Sequence, residues 1–247
     1  MKVVAVIPAR YSAQRLPGKP LADLLGKPMI QWVYEGAKRA QSPSQFVIAT
    51  DDTRIQAVAQ SFGARVVMTS SDIQSGTDRV AAVADQIAAD VYVNVQGDEP
   101  LIEGEIIDQA VALVTSGRFR MATLMTPLQS LEELRSPHVV KVIADRELRA
   151  IYFSRHPIPY SRIPEPPEGR AFISRRHLGL YVYTRELLHE LRKVPPCDLE
   201  RAESLEQLRA LEQGIAIGIT EVKSQSIGVD LPEDLETVRN LLKARMR

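Results

Sequence analysis

The 247-residue chain has a single cysteine, Cys197. No intrachain disulfide can form and no multi-cysteine metal site exists, which agrees with a reducing compartment. Net charge is missing too, since 31 Lys and Arg balance 31 Asp and Glu. This excludes the basic footprint of a nucleic-acid binder, so an anionic ligand has to be met by a local cluster of cations. There is no long apolar run. The stretch from Met1 to Pro8 is followed at once by polar residues, too short for a signal-peptide core or a membrane span. The expectation is a cytoplasmic protein with neither nucleic acid nor membrane as partner. Internal repeats and low-complexity tracts are absent. So are the glycine signatures G-x-G-x-x-G and G-x-x-x-x-G-K-[ST].

What is present is an ordinary globular composition, 45% hydrophobic and 25% charged. Val3 to Ile7 is a continuous β-branched apolar run, the mark of a strand buried on both faces. Phe46 to Ala49, Arg65 to Met68, Val91 to Val95 and Met121 to Met125 read alike. Helical spacing lies between them: Met29, Ile30, Val33, Ala37; Ile55, Val58, Ala59; Val80, Val83, Ala84, Ile87; Ile106, Ile107, Ala110, Val114. Such alternation predicts βαβ units, a mainly parallel sheet and right-handed crossovers. Beyond residue 130 the pattern changes. Val139 to Ala144 and Arg149 to Phe153 predict a hairpin around Asp145–Arg146. Residues 155–171 hold five prolines and predict a long loop. Leu178 to Tyr183 and Ile215 to Val222 predict strands, Leu199 to Leu211 one helix, and Pro232 the first turn of a last helix. The expected fold is α/β: one doubly wound, mainly parallel domain with a smaller α+β insertion at about residues 130–220.

Open α/β sheets bind ligands at the carboxyl ends of their strands. The first strand runs into Pro8-Ala9-Arg10-Tyr11-Ser12-Ala13-Gln14-Arg15-Leu16-Pro17-Gly18-Lys19-Pro20-Leu21, where Arg10, Arg15 and Lys19 gather. A triphosphate needs such cations as pyrophosphate leaves, although a solvated basic loop would look the same. The fourth strand ends in Gln96-Gly97-Asp98-Glu99-Pro100. A carboxylate there can hold Mg²⁺, which favours hard oxygen ligands; a turn or a cap is the plainer reading. Asp230, in Ile227-Gly228-Val229-Asp230-Leu231-Pro232-Glu233-Asp234, reads by itself as a cap near a helix start. Ser75 and Thr77, in Gln74-Ser75-Gly76-Thr77-Asp78-Arg79, read as caps whose helix N-terminus can face an anion.

Together these segments resemble the 3-deoxy-manno-octulosonate (Kdo) cytidylyltransferases, nucleotidyltransferases of a Rossmann-like fold. The likeness runs from residue 3 to about 240, through P-A-R-x-x-x-x-R-L-P-G-K-P-L, S-G-T-D-R, Q-G-D-E-P and G-V-D-x-P-E-D in order. Sialic acid cytidylyltransferases have a similar first loop. The resemblance implies CTP and Kdo as substrates, Mg²⁺ as cofactor and a homodimer. The products would be CMP-Kdo, for lipopolysaccharide synthesis, and pyrophosphate. It implies that Ala9, Arg10, Lys19, Ser75, Gly76, Gln96 and Asp98 bind CTP, with Arg10, Lys19 and Asp98 catalytic. Asp98 and Asp230 would be the metal pair. Arg15, Gln96, Arg155, His177, Tyr181, Glu203 and Gln207 would meet the sugar's carboxylate and hydroxyls. Three departures stand out: Ala13 where a serine is frequent, Ile73 where a histidine is, and Leu231 where a threonine is. The implied reaction is in-line attack of the anomeric hydroxyl on the α-phosphorus. Positioning and charge stabilisation would carry the catalysis.

Overall fold

The computed structural model describes residues 1–12, 16–73, 75–162, 172–224 and 227–245. Two compact units are present, Met1–Asp108 with Gln225–Arg247, and Gln109–Ser224.

In the first unit the opening apolar run forms β1 (Val3–Ala9), buried from Val3 to Ile7. A small hairpin follows, β2 (Asp23–Leu24) and β3 (Lys27–Pro28), and leads into α1 (Met29–Ala37). Then come β4 (Gln45–Thr50), α2 (Thr53–Ser61), β5 (Arg65–Met68), α3 (Gly76–Gln86), β6 (Val91–Asn94) and α4 (Gly104–Thr115). The unit boundary falls within α4. The strands lie in the order β6-β1-β4-β5, every pair parallel. The residues after Ala9, Thr50, Met68 and Asn94 therefore emerge at one edge. Two helices there start on side-chain caps. Asp52 accepts from Arg54 N at the start of α2, and Ser75 Oγ from Asp78 N, 2.9 Å away, at the start of α3. Each cap satisfies an amide that would otherwise lack an intrahelical partner.

In the second unit the chain runs through β7 (Met121–Pro127), α5 (Leu131–Arg135), β8 (Lys141–Ala144), β9 (Ala150–Ser154), β10 (Arg175–Thr184), α6 (Arg185–Leu191), α7 (Asp198–Glu203), α8 (Gln207–Glu212) and β11 (Ile217–Glu221). β7 pairs with β11 in parallel and with β10 antiparallel; β10 continues to β8, and β8 to β9. β8 and β9 form the hairpin that the sequence predicts.

The predicted helix from Leu199 to Leu211 is not continuous. It breaks into α7 and α8 at Ser204, which has left-handed backbone angles, φ 52° and ψ 50°. An unbroken helix would spend the Glu203 carbonyl on the amide four residues later. Here that carbonyl accepts from Arg155 Nε at 2.7 Å. Glu200 and Arg209 bridge the break through two hydrogen bonds of 2.5 and 2.7 Å.

The last helix, α9 (Pro232–Arg245), returns to the first unit. Its Val238 and Leu242 pack with Val229, Leu24, Met29 and Leu101 in one buried cluster. Burying this apolar surface anchors the segment that carries Asp230.

Candidate active site

The loop after β1 folds back on itself. The Gly18 amide donates to the Tyr11 carbonyl at 2.9 Å. Gly18 has φ 71°, and a side chain there would press on the Tyr11 ring at 3.3 Å. Glycine meets both demands. The Arg54 guanidinium also lies over the Tyr11 ring, 3.3 Å from its centroid. This fold-back returns Lys19 to the strand ends.

The end of β6 lies against the end of β1. A Cβ on Gly97 would stand 2.3 Å from the Pro8 carbonyl oxygen, so only glycine lets the two backbones approach this closely. Asp98 follows directly. Its carbonyl accepts from the Val229 amide at 2.9 Å, which ties it to the segment before α9. The Lys19 ammonium sits among these groups. It donates to Asp98 Oδ2 at 2.6 Å, the Val229 carbonyl at 2.8 Å and Asp230 Oδ1 at 3.1 Å. Burial opposes the charge on Lys19, but the two carboxylates outweigh it and its pKa rises above the ordinary lysine value.

Beside this cluster lies a cavity of about 210 Å³, lined by Ala9, Arg10, Lys19, Ser75, Gly76 and Asp98 among others. Ligand pockets usually span ~300–1,000 Å³, so only part of a nucleotide fits inside. Arg79 also lines it. Its side chain is 1% exposed. It donates to the Thr69 hydroxyl, to Asp51 Oδ2 at 3.1 Å and to the Ile73 carbonyl at 3.2 Å. One guanidinium thus ties together the loops after β4 and β5. The planar fork of arginine suits that task where an ammonium would not. Asn94, at the end of β6, lies under Gly76, and its buried Oδ1 has no partner among the described residues.

The second unit holds its own polar cluster. Glu203 accepts from the Ser154 hydroxyl at 2.6 Å and from the Arg155 amide at 2.8 Å. Arg155 also donates to the Pro137 carbonyl at 3.0 Å. Lys141 is fully buried. Its ammonium donates to the carbonyls of Ser136, Val139 and Arg155, and burial pulls its pKa down. His177 lies between Phe153 and Tyr181, with ring centroids 4.9 and 5.5 Å away. Its Nε2 is 2.9 Å from Thr123 Oγ1, which also lies 2.7 Å from the Leu180 carbonyl and 3.1 Å from that of Leu178. The hydroxyl has one proton and carbonyls only accept, so the imidazole donates through Nε2 and keeps Nδ1 as an acceptor. Burial lowers the His177 pKa to about 3. Gln207 is 3% exposed, and its Nε2 has no partner among the described residues.

Of the residues singled out from sequence, Ala9, Arg10, Lys19, Ser75, Gly76, Asp98 and Asp230 gather in the first unit. Gln96 is half-buried one residue before Gly97 and does not line the cavity. Arg155, His177, Tyr181, Glu203 and Gln207 belong to the second unit. Arg15 lies outside the described residues. Arg79 and Lys141 received no role from sequence. Arg79 was findable, because it falls four residues before Val83 on the buried face of α3. No group of three metal-binding side chains occurs among the described residues. Nor, among them, is any helix long and apolar enough to cross a membrane.

Residues 4–221 match the family model described as cytidylyltransferase. The 3-deoxy-manno-octulosonate cytidylyltransferase of Geobacter sulfurreducens is 51% identical over 98% of this chain and 100% of its own length. That of Bdellovibrio bacteriovorus is 47% identical over 99% of each. Among solved structures, CMP:2-keto-3-deoxy-manno-octonic acid synthetase complexed with CTP superposes with a TM-score of 0.92. It is 42% identical, over 99% of this chain and 100% of that one. A Bacillus anthracis protein described as a glucose-1-phosphate thymidylyltransferase shares the fold, with a TM-score of 0.65 and 15% identity over 97% of this chain and 94% of that one.

Proposed function

The chain belongs to the cytidylyltransferase family, and from that premise we propose that it transfers CMP from CTP to Kdo, giving CMP-Kdo and pyrophosphate. The observation that carries the reading is the convergence of Lys19, Asp98 and Asp230 beside the cavity lined by Arg10, Ser75 and Gly76. Cations for a triphosphate and carboxylates for a metal meet there at the carboxyl edge of a parallel sheet.

Asp98 and Asp230 fit Mg²⁺. Their oxygens already reach one common cation, and Mg²⁺ takes one or two carboxylates together with substrate phosphates and water. When bound, Mg²⁺ supplies charge neutralisation at the phosphates and lowers the pKa of a coordinated hydroxyl. The protein's own part is positioning. Arg10 and Lys19 offset the charge on the departing pyrophosphate. Ala9, Ser75, Gly76 and Gln96 hold the nucleotide. Arg155, His177, Tyr181, Glu203 and Gln207 recognise the sugar acid. His177 stays neutral at working pH and accepts through Nδ1, which suits a sugar hydroxyl rather than a carboxylate. A homodimer is the working assembly, and a monomer at all concentrations in sedimentation would refute it.

The test is pyrophosphate release from CTP and Mg²⁺ with Kdo, 8-amino-Kdo or N-acetylneuraminate. Release with Kdo alone is expected. Release only with another sugar would correct the substrate. CTP binding with no release for any sugar would overturn the enzymatic reading.

A further inference from the structure

Lys19 stands where two assignments collide. An ammonium has three protons. Those of Lys19 go to Asp98 Oδ2, the Val229 carbonyl and Asp230 Oδ1. None is left for a phosphate. Its side chain is 14% exposed, against 30% for Asp98 and 54% for Asp230. The ammonium is therefore the inner member of the trio, set between the two carboxylates. A divalent cation on the same pair has to meet the same carboxylates. Two cations drawn to the same carboxylate pair compete for it, because like charges this close repel strongly in a partly buried site.

We propose that Lys19 is the resident counter-ion of the Asp98–Asp230 pair, and that a divalent cation takes its place by exchange. The exchange frees the Lys19 ammonium for the phosphates. This rests on the reading of Asp98 and Asp230 as the metal pair and adds an order to it. Without nucleotide the pair is already neutralised in part, and a metal ion has to displace a well-placed ammonium. With nucleotide, the phosphates offer the displaced ammonium new acceptors. Metal and nucleotide are then coupled through one side chain. The backbone bond from Val229 to Asp98 holds the two carboxyl-bearing segments together throughout.

A cation that binds only when Lys19 has moved away has its affinity reduced by the fraction of molecules in that state. If the ammonium is away in a tenth of molecules or fewer, removing it tightens metal binding by about tenfold or more. The probe is Mn²⁺, followed by the electron paramagnetic resonance signal of the free ion, in the absence of CTP. Lys19→Met is expected to bind one Mn²⁺ at least about tenfold more tightly than the wild type, and Lys19→Arg no more tightly. Adding Asp98→Asn to Lys19→Met is expected to abolish the gain. Lys19→Gln, whose amide can still donate to Asp98, carries the test if Lys19→Met does not hold its fold by circular dichroism. Equal Mn²⁺ affinity in the wild type and the neutral variant would overturn the exchange. So would a gain that survives Asp98→Asn. The metal reading is judged apart, by turnover: full metal-dependent activity of the single variant Asp98→Asn would sink it whatever the Mn²⁺ titration shows.

Discussion

Replacing Gly97 with alanine adds one methyl group just before Asp98. The new Cβ would lie 2.3 Å from the Pro8 carbonyl oxygen, where contacts under 3.0 Å essentially never occur. The two backbones would have to part by at least 3.0 − 2.3 = 0.7 Å. Neither yields easily. Pro8 is in register with Ala49 of β4, and the Val95 amide donates to the Val6 carbonyl at 2.9 Å. Overpacking of this kind costs about 1–3 kcal/mol, a fall of roughly 2–12 °C in the unfolding midpoint for a chain of this length. The displacement also carries Asp98, and Val229 bonded to it, away from Lys19. A misplacement near 1 Å can cost about 10²-fold in rate, so kcat/KM should fall by roughly 30–100-fold. Calorimetry and pyrophosphate release measure the two effects. Gly228→Ala is the control: Gly228 is exposed, with nothing within 4 Å of an added Cβ and no left-handed φ. Its midpoint should stay within about 2 °C of the wild type. A Gly97→Ala enzyme with wild-type midpoint and kcat/KM would refute the reasoning.

Asp98→Asn should lower kcat by about 10²-fold or more while changing the KM for CTP far less; equal turnover would dismiss its assigned role. Arg79→Lys should destabilise the fold by roughly 3 kcal/mol, because one ammonium cannot reach Asp51, Thr69 and Ile73 together. It should also raise the KM for CTP more than it lowers kcat, and an unchanged CTP titration would count against Arg79 as a pocket wall. His177 is kept neutral by burial, with its folded pKa near 3 against an ordinary 6.5. Its contribution to stability is complete above pH 6.5 and is lost as pH falls from there toward 3, since the unfolded chain binds the proton first. By pH 4 the loss reaches roughly 3 kcal/mol. His177→Gln should therefore show a shallower acid-side fall in unfolding midpoint, and parallel curves would refute the burial argument. Ser204→Gly should raise the midpoint by about 1–3 °C, because glycine removes the left-handed penalty at φ 52°; a lower midpoint would mean that the serine hydroxyl matters more than the backbone.

The sheet was legible because its strands are apolar runs and its helices keep one apolar face. That pattern places Ala9, Ser75, Gly76 and Asp98 at one edge without any knowledge of distances. Periodicity reports which faces are buried. It does not report where a backbone group leaves its regular partner for a side chain far away in sequence. Ser204 is the clearest case, since the apolar spacing of Ala202, Leu205, Leu208 and Leu211 reads straight through the break. What interrupts it is Arg155, which takes the Glu203 carbonyl from 48 residues away.

The buried cations follow the same logic, with one useful difference. Nothing in the spacing of Lys19 and Asp230, 211 residues apart, says that they meet. Arg79, by contrast, betrays itself. It shares the inward face of α3 with Val80, Val83 and Ala84. A charge on an apolar face needs a partner, because an unpaired buried charge costs several kcal/mol. The partner has to come from whatever that face packs against, which here is the set of loops at the carboxyl ends of β4 and β5. A charged residue in register with a helix's core positions thus marks a loop junction through its spacing alone. In this protein that junction is a wall of the cavity beside Lys19 and Asp98.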